Sequence, residues 1–339
     1  EEEPFFLFVS FNAVHTPMQA TERRLGVFGD VSHPVRRVYN AMMLALDEAV
    51  GALFAQLDRS GLLEDTLVFF LSDNGGPTLH RYAYNASDNT PLRGSKGTTL
   101  EAGIRVPFVL SWPRGLPSGT WFDEPVIALD LVPTALAAAG VAIEEEWELD
   151  GVNLLPYLHG DASGRPHEAL FWRSWGQMAV RRGDWKLVSY VAKMDEGELL
   201  RGEPRDEMTP YRLYNLRRDI GESEDLAAAE PVRAARLLAL WREWNAEMRP
   251  APWSTDDRRV STRRRRVADG QRTGRLLPPS KPQEGPLGGG HLALPRAVRR
   301  DPRCTSFSAR LALLSARTRA GRPRPQSPTS TQNVKESTC

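Results

Sequence analysis

Two uninterrupted apolar runs, at residues 5–9 and 67–71, constrain the fold of this chain more than any other feature. A run without alternation is typical of a strand buried on both faces, as in a parallel sheet. Between the runs, apolar residues recur at three- and four-residue steps from 38 to 57. This spacing predicts a helix that ends near Ser60-Gly61. The order strand, helix, strand predicts a right-handed crossover in a parallel sheet.

The remainder of the chain predicts a change of architecture. Residues 106–112 again read as a strand, and Asp130 is placed to cap a short helix that ends at Gly140. After about residue 168, short strand candidates separated by turn residues predict an antiparallel sheet. They lie at residues 178–182, 185–190 and 213–216, and a final helix is predicted at about 231–248.

Composition divides the chain again near residue 254. Residues 1–253 carry 25 Lys and Arg against 37 Asp and Glu, whereas residues 254–339 carry 19 against 6 and have Phe307 as their only aromatic residue. So few aromatic residues predict that residues 255–339 form a disordered basic tail with few contacts to the body. We therefore expect a first unit with the predicted parallel sheet at 1–167, an antiparallel subdomain with the final helix at 168–254, and the tail at 255–339.

The sequence disfavours cysteine-based sites, membrane spans and nucleic-acid binding. Cys304 and Cys339 are the only cysteines, so neither a disulfide framework nor a cysteine zinc site is expected. No apolar run reaches the roughly 18–20 residues of a membrane span, and we expect no membrane partner. The four arginines at 263–266 allow a nucleic-acid or polyanion-binding arm, but no interleaved aromatics support base stacking, and a nucleic-acid partner is not expected.

Polar residues that could carry chemistry follow the predicted strands. Asp73 and Asn74 come where the second apolar run gives way to Gly75-Gly76, and their hard oxygens suit Ca²⁺ or Mg²⁺. Lys96 stands between Gly94 and Gly97, where an ammonium can approach sulfate or phosphate closely. His15 follows the first run and can donate to an anion or a leaving oxygen. Each also has a plain alternative, respectively a turn, a solvated loop lysine and a structural histidine.

Longer strings of the chain add a further observation. They are FFLFVSFNAVHTP, YNAMMLALDEAVG, TLVFFLSDNGGP, PLRGSKGTTLEAGIRVPFVLSWP, PVIALDLVPTALAAAG, DGVNLLPYL and GDWKL. Together they resemble the C-terminal half of a type I sulfatase, of the arylsulfatase A-like kind within the alkaline-phosphatase superfamily. The resemblance implies an α/β fold with a mixed, mostly parallel sheet flanked by helices, followed by a small C-terminal antiparallel sheet with a helix.

The resemblance also implies roles for the four residues. Asp73 and Asn74 match a pair that binds one calcium ion, and Lys96 matches the lysine that contacts the substrate sulfate. His15 matches the histidine that reaches the sulfate ester and its leaving oxygen, so His15 and Lys96 are the expected catalytic and substrate-binding residues. The implied partner is a sulfated small molecule or glycan. A periplasmic or secreted location is implied only by analogy with many relatives.

In this family the nucleophile is a formylglycine made from the first residue of a Cys/Ser-x-Pro-x-Arg motif. Cys304 is followed by Thr-Ser-Phe, and the string at 280–284 ends in Glu284, so neither supplies it. We expect that the motif is absent, that an upstream half is missing, and that the chain is a sulfatase by lineage without turnover. The alternatives are a phosphodiesterase or phosphomutase of the same superfamily and a non-catalytic remnant with a polyanion-binding tail.

Overall fold

Two four-stranded sheets organise the chain in a computed structural model that describes residues 4–78, 84–174, 176–190, 208–249 and 309–315. The strands are β1 (Phe6–Ser10), β2 (Thr66–Ser72), β3 (Phe108–Ser111), β4 (Leu170–Ser174), β5 (Gln177–Arg182), β6 (Trp185–Ser189), β7 (Arg212–Asn215) and β8 (Ala309–Ser315). The helices are α1 (Glu22–Gly26), α2 (Pro34–Arg59), α3 (Glu101–Ile104), α4 (Leu131–Ala138), α5 (Leu155–His159) and α6 (Pro231–Glu247).

The first sheet has the order β1-β8-β2-β3, and every described pairing in it is antiparallel. The predicted mostly parallel sheet is therefore not confirmed among the described strands, because β8 lies between β1 and β2 and pairs antiparallel with both. Both flanking strands run opposite to β8, so β1 and β2 point in the same direction. Their carboxyl ends consequently share one edge of the sheet, as the crossover through α2 requires.

The strand β8 also corrects the expectation that residues 255–339 form a tail with few contacts to the body. Residues 309–315 pair along the whole of β2, and Leu313 is buried against Val68 and Leu57. The low aromatic content of the tail as a whole concealed one local apolar run that can complete a sheet. The other residues of the predicted tail lie outside the described residues, and the domain boundaries stay a prediction.

The two apolar runs of the sequence differ in their burial. β2 is buried on both faces as predicted, with Leu67, Val68 and Phe69 almost inaccessible. β1 is not, because it is the edge strand of this sheet, and Phe6 and Phe8 remain 58% and 48% exposed. Apolar composition predicted the strand in both cases but not what covers it.

The second sheet, in the order β4-β5-β6-β7, confirms the predicted antiparallel sheet after about residue 168. The helix α6 confirms the predicted final helix and packs Leu237 against Met178, Val180 and Leu187 of this sheet. Burial of this apolar face stabilises the helix more than its intrinsic propensity does. The second sheet and α6 thus share one apolar core.

The helix α2 includes the stretch from 38 to 57 that the spacing of apolar residues predicted, begins four residues earlier at Pro34, and buries Tyr39, Met42, Leu46 and Leu57 on one side. By length and composition it could also cross a membrane, a test that the core helix of a folded domain passes equally. The expectation that the chain has no membrane partner stays a prediction.

Candidate functional site

His15 lies five residues beyond the end of β1, in a turn closed by the bond from its own N–H to the carbonyl of Asn12, at 2.9 Å. The preceding residue, Val14, is buried, and its carbonyl accepts a 2.9 Å hydrogen bond from the amide of Asn85. The His15 Nδ1 atom lies 2.8 Å from the carbonyl oxygen of Thr16. Because a carbonyl only accepts, this contact assigns the proton to Nδ1 and leaves Nε2 as an acceptor.

Lys96 supplies the donor that faces this acceptor. Its Nζ lies 3.3 Å from His15 Nε2, although the two residues are 81 positions apart in the chain. The Lys96 backbone N–H donates to the carbonyl of Gly76 at 3.1 Å, which fixes the lysine against the loop that follows β2. The structure therefore brings together two of the four residues that the sequence singled out.

Asp73 and Asn74 occupy the loop directly after β2. The Asn74 side-chain amide donates to the carbonyl of Gly75 at 2.8 Å, and Ser72 Oγ donates to the Asn74 carbonyl at 2.8 Å. The Asp73 side chain is exposed, whereas Asn74 is half-buried. The two residues are thus placed on the loop whose Gly76 holds the Lys96 backbone.

The loops that carry Asn74 and Lys96 pack closely against each other. Gly75 donates to the carbonyl of Gly103 at 3.0 Å, and Ser95 Oγ donates to the carbonyl of Gly76 at 3.2 Å. A Cβ at position 75 would lie 1.5 Å from the carbonyl oxygen of Ala102. Glycine is therefore required at 75, because backbone at that position must approach backbone.

The donor set for a metal ion is small in the described part of the chain. It contains no group of three or more His, Cys, Asp and Glu side chains that could hold an ion. Asp73 and Asn74 offer a carboxylate and one amide oxygen, whereas Ca²⁺ takes about six to eight oxygen ligands. These residues alone do not fit a complete calcium site, and no chemical step is assigned to a metal here.

A buried ionic cluster lies at the base of the Lys96 loop. Lys186 is fully buried, with its Nζ 2.9 Å from Glu101 Oε1 and 2.8 Å from Glu222 Oε1. The second contact is close enough for an ion pair but does not meet the geometry of a hydrogen bond. Glu222 Oε2 instead accepts from the Glu101 backbone N–H at 2.7 Å. Arg105 pairs with the other oxygen of Glu101 at 2.6 Å.

The cluster sets the pKa of its two carboxyl groups in opposite directions. Burial alone would raise the pKa of Glu101, but the charges of Lys186 and Arg105 outweigh it and lower that pKa to about 2. Burial raises the pKa of Glu222, with Lys186 opposing the rise and Glu101 adding to it. One carboxylate is thus firmly ionised, and the other holds its proton more readily than an exposed glutamate.

Sequence reasoning did not identify the residues that hold the two loops. Asn89 exchanges hydrogen bonds with both the N–H and the carbonyl of Gly76, at 3.2 and 2.9 Å. Gln177 reaches the Lys96 loop from the second sheet. The string Gly-Asp-Trp-Lys-Leu at 183–187 carried one usable signal, because a lysine within an otherwise apolar strand indicates a buried charge partner.

One string of the chain matches the letters of the formylglycine motif, so the expectation that none occurs is wrong. It is Ser32-His33-Pro34-Val35-Arg36, at the start of α2. His33 caps the helix by accepting from the Arg36 N–H at 3.2 Å, and Ser32 is exposed. In the described part of the chain no hydrogen bond joins Ser32 to His15 or Lys96, so the string there forms a helix start.

Comparison with protein families gives two matches that overlap at the Lys96 loop. Residues 1–141 match the family described as Sulfatase, and residues 95–216 match the family described as N-sulphoglucosamine sulphohydrolase, C-terminal. The two matches together cover both the loops of the candidate site and the second sheet.

Individual relatives support the same assignment. Steryl-sulfatase of Mus musculus is 32% identical over 74% of this chain and 43% of its own length. Arylsulfatase A of Bos taurus is 32% identical over 74% of this chain and 51% of its own length. The chain therefore spans about half the length of these curated relatives.

Solved structures agree with the sequence comparisons. The crystal structure of Ps i-CgsB is similar with a TM-score of 0.62 and 29% identity, over 77% of this chain and 54% of that one. Its complex with k-i-k-neocarrahexaose gives a TM-score of 0.61 at 28% identity. The family matches together span residues 1–216, the two curated relatives cover about three quarters of the chain, and the chain belongs to the type I sulfatase family.

Proposed function

We propose that the chain carries the sulfate-contacting part of a sulfuric ester hydrolase for aryl or carbohydrate sulfates, with His15 and Lys96 at the sulfate. The observation that supports this proposal most is the 3.3 Å contact between Lys96 Nζ and His15 Nε2. A half-buried ammonium and an imidazole at the meeting of two glycine-rich loops make a small polar site that suits a tetrahedral anion.

Each side chain has a distinct part in this proposal. The Lys96 ammonium donates to a sulfate oxygen and turns from His15 to the anion when the ester binds. A protonated His15, carrying hydrogen on both ring nitrogens, becomes a second donor and can serve the bridging ester oxygen. Neither group is a nucleophile for sulfur here, so the chain binds the ester without turning it over. The Ca²⁺ site through Asp73 and Asn74 requires further ligands.

The names of the relatives indicate the general class of substrate but not the individual compound. The relatives are named for steryl and aryl sulfates, and one similar structure holds a carrageenan-type oligosaccharide. We therefore expect a sulfate ester on an aromatic, steroid or sugar group.

The test is calorimetric titration of the full chain with an aryl sulfate and with the matching aryl phosphate. We expect saturable binding of the sulfate, weakened about 10- to 100-fold by Lys96→Ala, because a charge-assisted hydrogen bond contributes about 1.5–3 kcal/mol. Arg59→Ala, which removes an exposed arginine at the end of α2, is the matched control and should bind as the wild type does. Tighter binding of the phosphate would favour the phosphodiesterase or phosphomutase alternative.

A further inference from the structure

Lys96 lies in a turn that has little rigidity of its own. Glycines precede and follow it at 94 and 97, with φ angles of 98° and 90°. Glycine leaves the backbone more freedom than any other residue, so such a turn needs contacts from outside to hold one geometry. The internal hydrogen bonds join Ser95 and Thr98: the Thr98 N–H and Oγ1 donate to the Ser95 carbonyl at 3.0 and 2.8 Å, and the Ser95 N–H donates to Thr98 Oγ1 at 3.3 Å.

Several outside contacts hold this turn, among them the Gly76 carbonyl in the loop after β2 and the Asn89 amide, which donates to the Gly94 carbonyl at 3.3 Å. Another comes from Gln177, the first residue of β5, whose side chain is completely buried. Its Nε2 donates to the Gly97 carbonyl at 2.8 Å, and its Oε1 faces the Thr99 N–H at 3.4 Å. A single primary amide therefore bridges the residue after Lys96 and the third residue after it.

The support for Gln177 is itself rigid. The neighbouring residues Met178, Ala179 and Val180 are buried, and β5 is paired on both sides, by β4 and by β6. Thr99 Oγ1 also approaches the Met178 carbonyl at 3.4 Å, so two successive positions of β5 face the turn. A buried side chain at the end of a strand that is paired on both sides can hold a neighbouring loop to within about half an ångström.

From this geometry we infer that Gln177 is a positioning residue for Lys96, through which the second sheet sets the direction of the ammonium towards His15. The inference rests on the proposed function for its meaning in sulfate binding. Its structural part, the dependence of the Lys96–His15 contact on Gln177, can be tested without any ligand. Gln177 touches neither the sulfate nor the reacting atoms in this account.

The test compares two variants. Gln177→Met keeps the length of the side chain and removes both hydrogen bonds of its amide group. Gln56→Met is the control and alters an exposed glutamine of α2. Gln177→Asn is the milder second variant, since it stays polar but is too short to make both bonds. Each variant is first shown to be folded by circular dichroism at the temperature of measurement. The readouts are the ¹⁵N resonance of His15 Nε2 without ligand and the affinity for an aryl sulfate.

We expect Gln177→Met to shift the His15 Nε2 resonance and to weaken sulfate binding about tenfold, because small displacements of a binding group are costly. Gln177→Asn should fall between it and the wild type, and Gln56→Met should change neither readout. A folded Gln177→Met with unchanged resonance and affinity would overturn the inference. If the wild type binds no sulfate while Gln177→Met still shifts the resonance, the positioning role stands and the proposed function fails.

Discussion

Replacing Lys186 with methionine should destabilise the chain more than any single surface change. Lys186 lies between the Glu101 and Glu222 carboxylates at 2.9 and 2.8 Å, and all three side chains are almost inaccessible to solvent. Lys186→Met removes the cation, keeps most of the volume, and leaves two carboxyl groups facing each other away from water. Arg105 remains beside Glu101, but it is partly exposed and does not reach Glu222 among the described contacts.

The magnitude can be estimated in two ways that agree. Burial raises the pKa of Glu101, but Lys186 and then Arg105 lower it from 4.5 to about 2, a net stabilisation of the ionised form of about 3 kcal/mol after desolvation is offset. Removing one partner of a buried ion pair typically costs about 3–5 kcal/mol. We therefore expect Lys186→Met to lower the free energy of unfolding by about 3 kcal/mol at neutral pH.

The assay is chemical denaturation followed by tryptophan fluorescence, since Trp172 and Trp185 lie in the second sheet. Arg59→Ala is the matched control, because it removes an exposed cation from the end of α2, outside the second sheet, and should cost less than about 1 kcal/mol. Adding Glu222→Gln to Lys186→Met should recover part of the loss by removing one uncompensated carboxylate. A loss below about 1 kcal/mol for Lys186→Met, or no recovery in the double variant, would refute the reasoning about this cluster.

Three further predictions concern pH, metal and turnover. Since the folded-state pKa of Glu101 is depressed, its contribution to stability is complete above pH 4.5 and is lost as the pH falls towards about 2. The stability difference between wild type and Glu101→Gln should therefore shrink over that window, and a constant difference would contradict it. Ca²⁺ at about 1 mM should not raise the unfolding temperature, because Asp73 and Asn74 are too few ligands. A saturable rise of the unfolding temperature with Ca²⁺ that Asp73→Asn abolishes would contradict this prediction. The chain alone should not hydrolyse an aryl sulfate, since the site supplies no nucleophile; hydrolysis above the level of Lys96→Ala would disprove this.

Local elements were predictable because their signals lie in short stretches of sequence. The run at 67–71 became the buried strand β2, the spacing from 38 to 57 became α2, and the turn residues after 168 separated the strands of the second sheet. The same signal placed β1 correctly but could not show that it is an exposed edge. Composition averaged over 86 residues likewise hid the seven that form β8.

Of the candidate site, the sequence singled out four residues, whose roles stay predictions. His15 and Lys96 were singled out by their positions after apolar runs and between glycines, and the structure places them in contact. Several contacts around the Lys96 loop join residues about 80 to 120 positions apart, such as Gln177 with Gly97 and Glu222 with Glu101. Such pairings depend on tertiary packing. The residues next to a buried amide or carboxylate in the sequence do not indicate which group will be its hydrogen-bond partner.

The central claim is that sulfate binds between Lys96 Nζ and His15 Nε2. The most direct measurement follows the ring ¹⁵N resonances of His15 while an aryl sulfate is titrated into the full chain. We predict a saturable shift of the Nε2 resonance with the same dissociation constant as calorimetry gives, and no such shift in Lys96→Ala. Calorimetric binding that leaves both His15 resonances unchanged would place the sulfate elsewhere and contradict the claim.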